Sequence, residues 1–141
     1  TDWGDNGADG TLEAGGDNIA SGLPAGTYKI IIDDEAETYK FATPNFDDIF
    51  ILGSHQGWGN GSANDRMRIV SENTWSLDVN FSDTDQFKFV DGPEFGGTDF
   101  GDNGADGTAE AGGDNIAIGA GVGNYTVTFN DETLSYTVEL N

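Results

Sequence analysis

Apolar and polar residues alternate along several short stretches of this chain, and a period of two predicts β-strands. The alternation is clearest in Thr74–Phe81 (TWSLDVNF) and in Asn124–Asn130 (NYTVTFN), and it is shorter in Gln86–Val90 (QFKFV). Asp48–Gly53 (DIFILG) is instead a short apolar run, which is typical of a buried strand. Helix signals are nearly absent: only Ala109–Ala111 indicates a helix, and the glycines around it disfavour a long one.

Two pairs of strand signals are joined by acidic turns and predict β-hairpins. Thr27–Asp33 and Thr38–Phe41 flank the turn at Asp34–Glu37. The pattern returns near the C-terminus, where Asn124–Asn130 and Leu134–Leu140 flank a second acidic turn. Short strands separated by Gly, Asp and Asn turns are typical of antiparallel sandwiches. We therefore expect an all-β fold, with antiparallel immunoglobulin-like β-sandwich modules in tandem.

The tandem arrangement is indicated by an internal repeat. Residues 1–20 (TDWGDNGADGTLEAGGDNIA) return as residues 98–117 (TDFGDNGADGTAEAGGDNIA), and the two copies differ only at Trp3 against Phe100 and Leu12 against Ala109. The offset of 97 residues continues without a gap through both predicted hairpins. A period of this length suits an array of small domains. We predict that residues 1–42 are the C-terminal half of one module and that residues 43–141 form a complete one.

A half module lacks the sheet that would cover it. A lone hairpin is marginally stable in water and leaves strand edges unpaired. We therefore expect residues 1–42 to be completed by another module of the same chain or of a neighbouring chain.

The charge of the chain limits its partners. It carries 26 acidic residues against five basic ones, which gives a net charge of −21 at pH 7. Such a chain is repelled by phosphate backbones and anionic headgroups, so we expect no nucleic-acid binding and no direct membrane insertion. Neutral ligands, cations and proteins with a basic face remain as partners. Cysteine is absent, which excludes a thiol nucleophile and thiolate metal sites.

The repeated acidic loop has the composition of a calcium site. Asp102 and Asp106, with their counterparts Asp5 and Asp9, supply hard oxygen ligands, and the glycines between them permit sharp turns. The match to a helix–loop–helix site is poor, because Gly104 stands where the third-position ligand belongs. The same residue types also favour Asx-turns and left-handed glycines in a long ordered loop. The residues leave both interpretations open, and calcium is the one cofactor they suggest.

A second candidate site lies in the part of the chain that occurs once. Trp58 follows a predicted buried strand and stands among glycines, where an exposed ring offers a platform for the apolar face of a sugar. Arg66, Arg68 and Lys88 are three of the five basic residues, and cations near an aromatic ring in so acidic a chain suggest donors to hydroxyl groups. The alternative is that Trp58 caps the core and that the cations balance nearby carboxylates.

No catalytic centre can be assembled from the sequence. His55 is the single histidine, and we expect it to be exposed and structural. No spacing among the 26 acidic residues marks out the acid pair of a glycosidase. We therefore expect a binding or structural protein and not an enzyme.

Several phrases follow the order seen in the SusE/SusF family of outer-membrane starch-binding lipoproteins of Bacteroidetes, which the chain resembles. These phrases are ILGSHQGWGN, TWSLDVNF, QFKFVDG and DFGDNGADGTAEAGGDNIAI, followed by NYTVTFN and LSYTVEL. The resemblance covers Pro44–Asn141 as a whole module and residues 1–42 as the tail of a preceding one. It implies β-sandwich modules in a row, on the extracellular face of the outer membrane or secreted, that bind glycans without cleaving them.

The resemblance also implies site residues. Trp58 matches a Trp of the family's binding loop, Lys88 matches a Lys of the F-K-F strand, and Arg66 or Arg68 would serve as the nearby arginine. The implied ligand is a starch-like polysaccharide or oligosaccharide. The competing interpretation is a structural or adhesive repeat, stiffened by calcium or completed by strand exchange, that forms a surface stalk or filament.

Overall fold

A computed structural model describes residues 1–119 and 121–141 of the chain. The regular elements of these residues are antiparallel β-strands and one short 3₁₀-helix, which confirms the all-β prediction. None of the described residues belongs to a helix with the length and apolar character that a membrane span requires. The chain divides into two compact units, unit 1 from Thr1 to Thr43 and unit 2 from Pro44 to Asn141.

Unit 1 contains two antiparallel pairs of strands. β1 (Trp3–Gly4) pairs with β2 (Glu13–Ala14), and β3 (Lys29–Asp33) pairs with β4 (Thr38–Ala42). The second pair is the hairpin that the sequence predicts, with its turn at residues 34–37.

Unit 2 contains the remaining strands. In chain order they are β5 (Phe50–Gly53), the 3₁₀-helix Ser54–Gln56, β6 (Arg68–Ser71), β7 (Thr74–Phe81), β8 (Gln86–Val90), β9 (Asp99–Gly101), β10 (Glu110–Ala111), β11 (Ile116–Ala117), β12 (Gly123–Asn130) and β13 (Tyr136–Leu140).

These strands form two antiparallel sheets. In the first sheet, β8 pairs with β5 along one edge and with β9 and β11 along the other, and β10 pairs with β9. The second sheet has the order β13–β12–β7–β6. β7 and β12 pair along all eight residues of each, so they form the centre of that sheet. The arrangement is β-sandwich-like, and the immunoglobulin-like strand order stays a prediction.

Alternate residues of these strands form the main apolar core. Trp75 from β7 and Phe129 from β12 are buried together with Phe87 and Phe89 from β8. Aromatic stacking links the sheets, since the ring centroids of Phe89 and Phe129 lie 4.5 Å apart. This inward face is the one that the alternation in Thr74–Phe81 and Gln86–Val90 predicts.

Two kinds of strand were not predicted from the sequence: the short strands of the repeated segments, which are β1, β2, β9, β10 and β11, and the edge strand β6. Residues 109–111 contain β10 and not a helix, because Glu110 and Ala111 pair with β9 and so satisfy their backbone groups in a sheet. β6 was not predicted. It is an edge strand with a register shift between Ile69 and Ser71, and its residues are exposed or half-buried, so no clear alternation marks it.

Candidate functional site

A tight turn after β5 holds Trp58 at the surface. β5 runs directly into the 3₁₀-helix, and Gly57 ends that helix in the left-handed conformation with φ 78°. Trp58 also has a positive φ, 57°, and its backbone N–H donates to the carbonyl oxygen of Gly53 at 2.8 Å. A left-handed backbone is costly for a bulky residue, so the surrounding turn must hold Trp58 in this conformation.

The side chain of Gln56 closes this turn from both directions. Its Nε2 donates to the carbonyl oxygen of Gly59 at 2.9 Å, and its Oε1 accepts from the N–H of Gly59 at 2.7 Å. Trp58 lies between these two residues and is 37% exposed, which confirms the exposure predicted from its glycine-rich surroundings.

Phe95 stands beside Trp58, and sequence reasoning missed it. The two ring centroids lie 6.0 Å apart with an interplanar angle of 40°, and Phe95 is 43% exposed. The loops that carry them are joined by a hydrogen bond from the N–H of Gly61 to the carbonyl oxygen of Pro93, at 2.6 Å. The only signal for Phe95 in the sequence is a large apolar residue in a Gly- and Pro-containing loop. We call Trp58 and Phe95 the aromatic pair.

Lys88 belongs to the outer face of the first sheet. It alternates with core residues along β8 and lies opposite Leu52 of β5. The segment that follows the Trp58 turn covers this face, because a Cβ atom at Gly61 would overlap the side chains of Phe50 and Leu52. The ammonium of Lys88 is 2.6 Å from Oδ1 of Asp99, so its charge is compensated. Lys88 therefore lies on the sheet face that Gly61 covers, and its ammonium group is directed at Asp99 of β9.

A groove of about 720 Å³ lies between residues 62–66 and the part of β7 that continues beyond β6. Residues 65–67 pair with β5, through hydrogen bonds such as that from the N–H of Ile51 to the carbonyl oxygen of Asp65 at 2.8 Å. The groove is lined mainly by polar groups. Among them are Gln56, Asn64, Arg66, Arg68, Asp78 and Asn80.

The two predicted arginines line this groove. Arg66 also forms an ion pair with Asp48, in which Nε lies 2.8 Å from Oδ1, and its side chain is 50% exposed. Arg68 begins β6 and is exposed. Both guanidinium groups therefore remain accessible from solvent.

His55 lines the groove but is largely buried, so the prediction of an exposed histidine was wrong. Its side chain is 10% exposed, and its ring packs edge-on against Phe81 with centroids 5.1 Å apart. Burial lowers the pKa of His55 below its usual value, although the nearby charges of Asp65 and Asp85 act in the opposite direction. The imidazole is consequently neutral at pH 7. Its contact with the aromatic core is long-range in sequence, which is why composition gave no sign of it.

The predicted glycan-binding residues fall into two neighbouring groups. Trp58 and Lys88 belong to the turn and to the outer sheet face, whereas Arg66 and Arg68 line the groove. Gln56 connects the groups, because it lines the groove and its amide holds the Trp58 turn.

Each acidic loop is organised around one carboxylate. In unit 2, Asp102 accepts hydrogen bonds from the N–H groups of Gly104 and Gly107 at 2.8 and 2.9 Å, and from the hydroxyl of Tyr136 at 2.8 Å. Burial raises the pKa of Asp102, but the hydrogen bonds outweigh it and lower the pKa to about 2. The side chain is therefore ionised and serves as the acceptor that shapes the loop.

The loop of unit 1 repeats this arrangement. Asp5 accepts from the N–H groups of Gly7 and Gly10, both at 3.0 Å, and from the hydroxyl of Tyr39 at 2.8 Å. Its pKa is also lowered to about 2, because the hydrogen bonds again outweigh the effect of burial. The local structure of the loop is thus independent of which unit contains it.

Asp9 and Asp106 serve as turn acceptors. Each accepts a hydrogen bond from the N–H of a threonine two residues later, Thr11 at 3.0 Å and Thr108 at 2.9 Å. In residues 1–119 and 121–141, no group of three or more His, Cys, Asp or Glu side chains is placed to hold a metal ion. The hydrogen bonds favour the turn interpretation of these four aspartates, and calcium binding stays a prediction.

No family model matches the chain, and neither does any curated protein or solved structure. The chain is a two-unit, all-β protein whose unit 2 is β-sandwich-like.

Proposed function

We propose that this chain is a non-catalytic glycan-binding protein with modules in tandem, similar to the SusE/SusF proteins that its sequence resembles. The observation that supports this proposal most directly is the aromatic pair. Two large rings stand exposed in glycine-rich loops, and the backbone of Trp58 is held at φ 57° to present one of them. Backbone strain at a bulky residue is more frequent at functional sites than elsewhere.

In the proposed mechanism, Trp58 stacks on the apolar face of a sugar ring, and Phe95 supports the neighbouring part of the ligand. Aromatic rings suit this role because they bury a large apolar area at a small cost in side-chain entropy. Arg66 and Arg68 donate hydrogen bonds to hydroxyl groups of the glycan from the adjacent groove. The ammonium of Lys88 has further N–H donors beyond the one that Asp99 occupies.

A surface platform of this size predicts weak binding at a single site. Several modules on one polypeptide would raise the overall affinity for a long polysaccharide, because later contacts become intramolecular. This arrangement agrees with a protein that is secreted or displayed on the extracellular face of an outer membrane, which we include in the proposal.

The test is calorimetric titration of the full chain with soluble glucans, including a linear α-1,4-linked oligosaccharide. We expect Trp58→Ala to weaken binding at least about tenfold, which corresponds to about 1.4 kcal/mol. Phe95→Ala should weaken binding by a smaller factor, because Phe95 supports the platform from one side.

The matched control is Trp3→Ala, which removes an exposed tryptophan, 51% accessible, from the short strand β1 of unit 1. This variant should bind as the wild type does. The proposal is wrong if the wild-type chain binds none of the glycans, or if Trp58→Ala and Trp3→Ala have the same effect.

A structural or adhesive repeat is the second candidate function, and the exposed apolar residues of unit 1 favour it. Its calcium-stiffened form predicts a melting temperature that rises with calcium and falls with a chelator. We expect instead that neither changes the melting temperature, because Asp5 and Asp102 already accept backbone N–H groups. Thermal melts in millimolar calcium and in chelator distinguish a calcium-stiffened loop from a loop that is held by its own hydrogen bonds. A melting temperature that rises with calcium would restore the calcium interpretation.

A further inference from the structure

We propose that the apolar face of unit 1 binds a β-sheet segment with the residue pattern of residues 44–97, supplied in addition to the copy that this chain folds into unit 2. The apolar face consists of Trp3, Leu12, Ile19, Ile30 and Ile32. The proposal is independent of glycan binding, because it rests on a comparison of the two copies of the repeat.

The first copy is folded in the same way as the second. The hairpin β3–β4 has the register of β12–β13, and β1–β2 has the register of β9–β10, both at the offset of 97 residues. Even the left-handed backbone of Ala8 returns at Ala105, with φ 51° in each. Unit 1 therefore presents the same surface that unit 2 uses to build its core.

Equivalent positions differ greatly in exposure. The exposed fractions in unit 1 and unit 2 are 57% and 0% for Ile30 and Val127, 63% and 0% for Ile32 and Phe129, and 51% and 6% for Trp3 and Phe100. The positions that form the core of unit 2 face solvent in unit 1. Covering apolar side chains at such positions with a second layer lowers the free energy of the protein.

Residues 44–97 supply that layer in unit 2. β7 pairs with the full length of β12, and β5 and β8 contribute the facing sheet. In unit 1, the sheet that contains β3 has two strands among the described residues, β3 and β4. The edge of β3 that corresponds to the β7 side of β12 can therefore accept a further strand.

Asp34 indicates one hydrogen-bond donor that the added segment must contain. Its counterpart Asp131 is buried and accepts hydrogen bonds from the indole N–H of Trp75 and from the backbone N–H of Asn45, each at 2.9 Å. Both donors belong to residues 44–97. Asp34 is exposed and lines a cavity of about 290 Å³ whose other walls are mainly residues of the apolar face. An indole or equivalent donor placed there would reproduce the contact of unit 2.

Exchange of residues 44–97 between two identical chains cannot supply the layer that unit 1 lacks. The copy of residues 44–97 in each chain already covers residues 98–141 of that chain. Moving it onto unit 1 of a neighbour would uncover as much apolar surface as it buried. The occupant is therefore an additional segment of the same pattern.

The test extends the full chain by a second copy of residues 44–97, joined in front of Thr1 as Gly97 is joined to Thr98. In unit 2, Asp78 lies opposite Thr126, whose counterpart in unit 1 is Lys29. The chain contains no cysteine, so an introduced pair reports a single contact. We expect Lys29→Cys and Asp78→Cys in the added copy to form a disulfide under mild oxidation. The matched control places the second cysteine at Thr74 of the added copy, four residues out of register, where the distance forbids a disulfide.

Hydrogen exchange of the β3 amides gives an independent readout. The extension should slow their exchange at least about tenfold, towards that of β12. The same extension with Trp75→Asp in the added copy should lose this effect, and Asp34→Ala should reduce it. The proposal is overturned if β3 exchange stays fast, if the two cysteine pairs cross-link equally, or if the added copy stays unfolded. It is also overturned if the unextended chain sediments as a dimer in which β3 is already protected, because the occupant would then be a second copy.

Discussion

The carboxylate of Asp102 determines the shape of its loop. It collects N–H groups from Gly104 and Gly107 together with the hydroxyl of Tyr136. Burial and the hydrogen bond to Asp102 raise the pKa of Tyr136, as expected for a hydroxyl that donates to an anion. Without the negative charge of Asp102, several donors would lack a full acceptor. A donor that is shielded from water and has no full acceptor lowers the stability of the fold.

We expect Asp102→Asn to lower the melting temperature at pH 7, because an amide supplies one acceptor oxygen and adds N–H donors where donors already meet. Since the pKa of Asp102 falls from 3.8 to about 2 on folding, its ionised form adds stability above pH 3.8 that is lost as the pH falls towards 2. The gap in melting temperature between wild type and variant should therefore be constant above about pH 4 and shrink below it. Thermal melts from pH 7 to pH 2 measure this gap. Asp5 is present in both proteins and cancels, and a gap that is undiminished at pH 2 would contradict the prediction.

Close backbone contact joins the end of β9 to residues 113–114, which follow β10. A Cβ atom at Gly101 would overlap the carbonyl oxygens of Asp114 and Gly113, and a Cβ atom at Gly113 would overlap the backbone of Gly101. The approach lets the N–H of Asp102 donate to the carbonyl oxygen of Asp114 at 2.8 Å. Gly101 and Gly113 are therefore required by close contact, and neither has a positive φ.

We expect Gly101→Ala to destabilise unit 2 by roughly 1–3 kcal/mol, because the added methyl meets backbone atoms that cannot rotate away. Gly104→Ala in the same loop is the matched control. The nearest atoms to a Cβ atom there are side-chain atoms of Asp106 and Asp102, at 3.6 Å or farther, so the change should be small. Urea unfolding followed through the buried Trp75 measures both variants. Equal losses of stability in Gly101→Ala and Gly104→Ala would show that the close backbone approach is not the reason for a glycine at position 101.

The elements that the sequence predicted well are those with two distinct faces. β7 and β8 were predictable to the residue, because their large apolar side chains alternate where one face is buried. β6 lacked this signal as a half-exposed edge strand. Trp58 was predictable from local sequence, whereas Phe95 depends on a contact between two loops that are distant in the chain. The burial of His55 against Phe81 depends on tertiary packing in the same way.

Buried apolar residues are concentrated in unit 2. Both apolar clusters among the described residues, the main core and the small one around Leu52, belong to it. In unit 1 the hairpin β3–β4 keeps its register but exposes Ile30 and Ile32. Because an uncovered two-stranded sheet is marginally stable, unit 1 should open at a much lower free energy than unit 2.

Limited trypsin digestion tests this difference, because the chain has five basic residues distributed over both units. We expect rapid cleavage after Lys40, which is exposed on β4, and then after Lys29 on β3. Arg66, Arg68 and Lys88 should resist, since cleavage there requires opening of paired segments: residues 65–67 pair with β5, β6 pairs with β7, and β8 pairs with β5. Mass spectrometry should find a persistent fragment that begins at Phe41 or Ile30 and ends at Asn141. Lys40→Gln should redirect the first cut to Lys29. First cleavage after Arg66 or Arg68 in either protein would mean that the groove opens before unit 1 does, and the assigned order of stability would be wrong.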